Sequence, residues 1–294
     1  VFQERFPYKA FLMSLITFGL SYGFYKGVID NYLAEMVSMT AFDKGVSEFF
    51  RELPGLLLVV ILAVFYTSPA ERIYKIGAVI MVVGMTLQGI LPYGKAFAIF
   101  AIFLYSMGDH MQQGTKNSIT LGYAKENHGG EALGVQNSIY QIGTLVGYVV
   151  IIVVFAIFAD ASFLYRPIFL CSAAIIAIGF LFTLQMTSIS KTDKSKSRFY
   201  FRKKYRKYYM LEVFYGARKQ VFFTFGPYVL VLFYGADAMT ISLLFAISAI
   251  CCFFAAPIVG KIIDRLGYKV VMISDTLILV IVCFFYGFAH HIFP

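Results

Sequence analysis

"GKIIDRLGYK", Gly260 to Lys269, is the stretch on which the reading of this chain turns. It breaks a long apolar region with two glycines, one carboxylate and the cations Lys261, Arg265 and Lys269. Apolar runs on both sides require a short turn that reverses the chain. Gly260 allows two helices to approach closely, and Gly267 gives the turn its backbone freedom. Asp264 can cap a neighbouring helix N-terminus or pair with a basic residue, while Arg265 and Lys269 hold the turn on the cytoplasmic side. A weaker echo lies upstream in "TSPAERIYKI", Thr67 to Ile76, where Glu71–Arg72 precede Asp264–Arg265 by 193 residues. A second pair has the same offset: "YGFYKGV", Tyr22 to Val28, and "YGARKQV", Tyr215 to Val221. Two ungapped matches at one offset predict that the first three apolar segments are duplicated in segments seven to nine.

The composition names the solvent. Of 294 residues, 60% are hydrophobic and 14% charged, against about 25% charged in soluble domains. A hydrocarbon core needs roughly 20 apolar residues per helical span. Nine such spans are expected, at about 8–36, 46–67, 73–92, 97–122, 132–158, 167–187, 208–234, 238–260 and 269–292. The runs are long and do not alternate apolar with polar, which indicates helices and not a barrel. Phe11 to Leu20 lacks a small-residue cleavage site and is read as the start of the first span, not a signal peptide. With the N-terminus inside, cytoplasmic segments hold 17 Lys and Arg residues and outer segments hold three (Lys44, Lys95, Arg166), with five inside spans. That bias sets the orientation and accounts for the net charge of +9 without nucleic acid. The basic run from Lys191 to Tyr209 is expected to be a connector held at the anionic leaflet. The four cysteines lie in apolar runs without metal spacing, and no disulfide framework is expected.

The connector Gly260-x-x-x-Asp264-Arg265-x-Gly267-Tyr268-Lys269 resembles the signature loop of the major facilitator superfamily. That resemblance implies an all-helical integral membrane protein with two six-helix halves around a central substrate path. It gives an N-terminal half over 1–187, a basic linker over 188–207, and the first three helices of a second half over 208–294. The earlier loop is degenerate, with Thr67 and Tyr74 where glycines are expected. Partners of spans four to six would fall beyond Pro294, so nine helices of twelve are expected, in a fragment of a chain of roughly 380–400 residues. Glu71, Arg72, Gly260, Asp264, Arg265, Gly267 and Lys269 are the expected gating-loop residues; a topology-setting turn is the plainer alternative.

Polar residues within spans normally face a cavity or a partner, since a charge at mid-bilayer costs about 2.5–3.5 kcal/mol on insertion scales. Lys26 and Asp30, four apart, share a helix face. Lys26 and Lys219, the latter beside Arg218, can face one cavity from opposite halves; alternatively Lys26 is satisfied by Asp30 and both lysines snorkel to an interface. Glu48, Arg51 and Glu52, ahead of Pro54-Gly55, suggest an ion-pair network at a kink. "GDHMQQGTKNS", Gly108 to Ser118, is the most polar span interior. Asp109 beside His110 is the candidate proton relay; Gln113, Asn137 and Gln141 are candidate substrate hydrogen-bonders. Gly143-x-x-x-Gly147 reads as close helix packing. The span from 132 lacks the proline of the proton–drug antiporter signature. No GK[ST] phosphate loop or HExxH occurs, and no enzyme, cofactor or metal site is expected; His290–His291 is read as interfacial.

These features imply a secondary transporter that moves a small polar solute across the cytoplasmic membrane by alternating access, with protons as a candidate coupling ion. It is expected to be a monomer, with its N-terminus and basic loop in the cytoplasm. Lys26, Arg218 and Lys219 favour anionic or hydroxyl-rich solutes. A drug or metabolite exporter, a non-transporting sensor or scaffold, and a membrane enzyme are the rival readings.

Overall fold

A computed structural model describes residues 1–3, 7–158, 162–187 and 202–287. Most of the basic connector, and His290–His291, lie outside the described residues. The described chain is helical. Its α-helices are α1 Tyr8–Asn31, α2 Ala41–Val64, α3 Ala70–Ile90, α4 Lys95–Tyr123, α5 Gly129–Ile157, α6 Tyr165–Leu184, α7 Arg206–Tyr234, α8 Ala238–Leu266 and α9 Tyr268–Gly287. A helix therefore stands at each place where a span is expected. Among the described residues, five segments are long and apolar enough to cross a bilayer: Tyr8–Met36, Ala70–Ile90, Gly129–Ile157, Ser162–Leu184 and Ala238–Leu266. Helices α2, α4 and α7 carry much of the intrahelical charge.

The burial pattern is that of a protein dissolved in lipid. Ser14, Ser21, Asp30, Asn31, Lys44, Ser47, Gln112 and Ser172 are buried, whereas Leu56, Val60, Val83, Val149, Ile178, Ile247 and Ile281 are exposed. Backbone polar groups are satisfied within helices, and apolar side chains face outward, as hydrocarbon demands. Helix α1 is the hub of the first six. It buries Phe11, Leu15, Phe18, Val28 and Ile29 and packs broadly against α5 and α6.

Small residues make the α1–α5 approach possible. A Cβ on Gly143 would lie 2.1 Å from the Ile16 carbonyl oxygen, and one on Gly147 would lie 2.6 Å from that of Leu20. The two backbones therefore touch, as the Gly-x-x-x-Gly spacing predicts. Helix α1 continues into a π-helical turn, Tyr32–Met36, a widening that often accompanies functional polar residues. Helix α5 also packs broadly against α8, where Ser138 donates to the Phe253 carbonyl at 2.8 Å.

The helices recur with a spacing that differs from the motif offset. Arg206 begins α7 198 residues after Tyr8 begins α1, and Tyr268 begins α9 198 residues after Ala70 begins α3. The ungapped match at 193 thus joins positions five residues out of step, or about 7.5 Å along a helix. Boundary uncertainty is one or two residues. Counted from the helix starts, Lys26 and Lys219 stand five residues out of step, and Glu71 opens α3 whereas Asp264 lies near the end of α8. Tyr, Gly and Val are frequent in membrane helices, so a seven-residue likeness among them does not fix register.

Candidate functional site

A run of alternating charges crosses from α1 through α2 to α4. Asp30 accepts from two lysines: Lys26, one turn back on α1, at 2.9 Å, and Lys44 of α2 at 2.8 Å. Lys44 also meets Glu48 at 2.9 Å; Glu48 meets Arg51 at 2.5 Å; Arg51 meets Glu52. The last member is His110 of α4, whose Nε2 stands 3.6 Å from Glu52. Three carboxylates and three cations balance when His110 is neutral. The Asp30 and Lys44 side chains are nearly solvent-free, at 1% and 3% exposure. Burial on that scale is tolerable only because each charge has an opposite neighbour.

The α2 sequence explains the run. Lys44, Glu48, Arg51 and Glu52 recur at three- and four-residue steps, which stacks them on one helix face. Pro54 removes one backbone donor from α2, and the Ser106 hydroxyl donates to the nearby Arg51 carbonyl. Lys44 was expected in the outer connection. Helix α2 begins at Ala41, so Lys44 falls in its first turns and is drawn inward by Asp30. Its i,i+4 spacing to Glu48 was the available signal. From the other side, aromatic rings of α7 and α8 meet this charge: Lys44 lies 5.3 Å from the Tyr228 ring centre and Lys26 5.2 Å from that of Phe245. Tyr228 also donates to the Met39 carbonyl at 2.6 Å. At the same end, exposed Asp43 takes bonds from Lys95 and from Thr40. The Lys95 ammonium, then the Thr40 backbone, hold its carboxyl down at about 2.

Asp109 and His110 part company. Adjacent residues on a helix differ by about 100° in direction. His110 turns to Glu52 and Ser106, with Ser106 Oγ 3.0 Å from its Nδ1. Asp109 accepts from the Gln113 amide at 2.6 Å. The Tyr22 and Tyr140 rings are 6.0 Å apart, and Tyr25 packs on Tyr105 at 4.7 Å. The Lys116 ammonium lies over the Tyr140 ring at 5.3 Å. Asn117 accepts from Gln136 at 3.3 Å, and Asn137 and Gln141 are half-buried on α5. This aromatic group escaped the sequence reading because tyrosines are common in spans.

At the opposite end, the signature turn closes on α5. The Asp264 carboxylate accepts from the backbone N–H of Gly130 at 3.2 Å and of Glu131 at 3.0 Å. It thereby caps the N-terminus of a neighbouring helix, where the dipole favours negative charge. Lys261 meets Glu131 at 3.5 Å, and Glu131 also meets His128 at 2.9 Å. A Cβ at Gly260 would lie 2.6 Å from the Gly130 carbonyl oxygen, and Gly267 has φ +81°, so each glycine does what its place requires. Arg265 and Lys269 are exposed. In the earlier loop Glu71 is buried and Arg72 exposed. The Arg218 and Lys219 side chains lie outside the described residues. A cavity of about 360 Å³ between α7 and α9 is lined mainly by apolar residues, Leu211, Phe214, Met272 and Ile273 among them; it is built from other helices than these charges.

The family model described as Major Facilitator Superfamily matches residues 55–293. The chain belongs to the major facilitator superfamily. A solved structure titled "Crystal structure of nucleoside transporter NupG" has the same fold, with a TM-score of 0.62, 17% identity, and 90% of this chain and 69% of that one covered. No curated protein sequence matches. Membership in the superfamily makes this a membrane transporter of a small-molecule solute, and points away from an enzyme.

Proposed function

We propose that this major facilitator protein is a secondary active transporter of a small polar solute, working by alternating access in the cytoplasmic membrane. All nine helices are taken as spans, with residues 1–187 as one half, 188–207 as the cytoplasmic linker and 208–294 as the start of the other half. The N-terminus and linker face the cytoplasm, as the basic residues favour.

One observation carries the reading. Asp264 of α8 bonds the N-terminus of α5 across the two halves, while the buried charges of α1 and α2 meet Tyr228 and Phe245 of those same second-half helices. Polar contacts at one end and a charged seam deeper in are what two rocking bundles need. Breaking the cap loosens one closure without removing the charges. Proton movement is assigned to His110, which joins the charge run through Glu52. It is the member whose unperturbed titration lies near neutrality.

The test is counterflow in proteoliposomes made with the protein, over a panel of labelled solutes, with and without a pH gradient. Exchange of one solute class, accelerated by the gradient and uncoupled from it by His110→Gln, supports the reading. Binding without any exchange would mark a sensor on the same fold.

A further inference from the structure

The seam next to Asp109 is not balanced in the way the α1–α2 run is. Asp30, Glu48 and Glu52 each meet at least one cation within 3 Å. Asp109 meets the neutral amide of Gln113. One turn before it on the same face, Tyr105 is 5% exposed, and its hydroxyl is buried without a hydrogen-bond partner among the described residues. An orphaned buried hydroxyl carries a desolvation cost, which a ligand with a polar group would relieve. Tyr25 of α1 packs on Tyr105 at 4.7 Å, and one turn before it Tyr22 lies 6.0 Å from the ring of Tyr140. The face of Tyr140 already receives an ammonium, that of Lys116 at 5.3 Å, so the group is electrostatically suited to cations. Aromatic faces combined with a carboxylate favour organic ammonium ions over their neutral and anionic counterparts.

We infer that the α4 face Tyr105–Asp109–Gln113, closed by Tyr22 of α1 and Tyr140 of α5, is a binding site for an organic ammonium solute. The inference rests on the transporter reading and gives its substrate class. The Asp109 carboxylate takes the ammonium, the Tyr105 hydroxyl and Gln113 amide take hydrogen bonds, and the rings of Tyr22 and Tyr140 hold the apolar body. Lys26, which favoured an anionic solute in the sequence, is held by Asp30. In this arrangement the charge run supports the site, and Asp109 selects.

Three isosteric probes test it: phenethylammonium, 2-phenylethanol and phenylacetate, titrated calorimetrically into the protein in nanodiscs. The ammonium is expected to bind about tenfold tighter than the alcohol, and phenylacetate more weakly than either. Asp109→Asn should equalise the ammonium and the alcohol while leaving the alcohol within about twofold of its wild-type affinity, which also reports that the variant is folded. Should that variant not fold, the order of the three probes on the wild-type chain decides alone. Phenylacetate binding as tightly as the ammonium, or an ammonium preference that survives Asp109→Asn, overturns the inference. Counterflow with the same probes separates it from the transporter reading. Ammonium-selective binding without exchange keeps the site and removes transport; exchange without selectivity for the ammonium keeps transport and removes the site.

Discussion

Helix α4 divides two arrangements of intramembrane charge. On its His110 side, facing α2, carboxylates and cations alternate from Lys26 to Glu52, and the sum is neutral. On its Asp109 side one carboxylate is met by an amide, with tyrosine rings of α1 and α5 and the Lys116 ammonium nearby on the same group. The first is closed on itself: each member answers another, and removing one strands its neighbours. The second has capacity left over. A buried ion that is fully paired is architecture; a half-buried one that is incompletely answered beside aromatic rings is an address for something that comes and goes.

The largest expected effect breaks the closed side. Asp30→Asn leaves Lys26 and Lys44 without their shared carboxylate, and removing one partner of a buried pair costs about 3–5 kcal/mol. A thermal midpoint that falls sharply in detergent, with little folded protein recovered from membranes, is the expected result. Asp109→Asn also removes a carboxylate from within a helix, but should lower stability by under about 1 kcal/mol, since it replaces one hydrogen-bond acceptor by another. Equal losses for the two variants would erase the distinction. Asp264→Ala touches neither side and removes a charge from a helix N-terminus, worth about 0.3–1 kcal/mol. It should act on closure, read as faster labelling of a cysteine placed at Lys261, one turn before Asp264 on α8. The smallest effect is at Asp43, where a comparable pair stands in water. Its folded carboxyl is held at about 2, below its unfolded value of about 3.9. Its contribution is therefore complete above about pH 4 and lost as the pH falls to about 2. In Lys95→Met the folded value moves back toward the unfolded one, so that loss should be smaller and end at a higher pH, visible as a flatter acid limb of the thermal midpoint.

Much of the fold was legible because hydrophobic length and glycine spacing act locally. Each apolar run became a helix, Gly143 and Gly147 became a backbone contact, and Asp264 took the helix-capping role that its motif suggested. Register was less legible: the repeat of short motifs at 193 residues differs from the helix spacing of 198, because a motif of common membrane residues carries little positional information. The site was legible in part. Lys26 with Asp30, and Glu48 with Arg51, lie at helical spacings and duly pair. Asp109 and His110 are neighbours in sequence, and the helix turns them to different partners, Gln113 for one and Ser106 for the other. Lys44 reaches Asp30 across fourteen residues and a connection, and Tyr105 acquires its meaning from rings on α1. Such contacts depend on helices meeting, which no one-dimensional spacing encodes.

The cap on α5 has a genetic consequence. Its acceptor is a side chain, but its donors belong to the peptide backbone of Gly130 and Glu131. One partner can therefore be erased by many codon changes, and the other only by proline, which lacks the N–H. Selection for variants that fail to close should return hits at 264. At 130 it should return only residues whose added bulk collides with that carboxylate, since even a methyl group there would sit 2.3 Å from its oxygen. Position 131 should accept many side chains with the cap intact, so a survey of tolerated codons would see a lopsided contact although the bond itself has two ends.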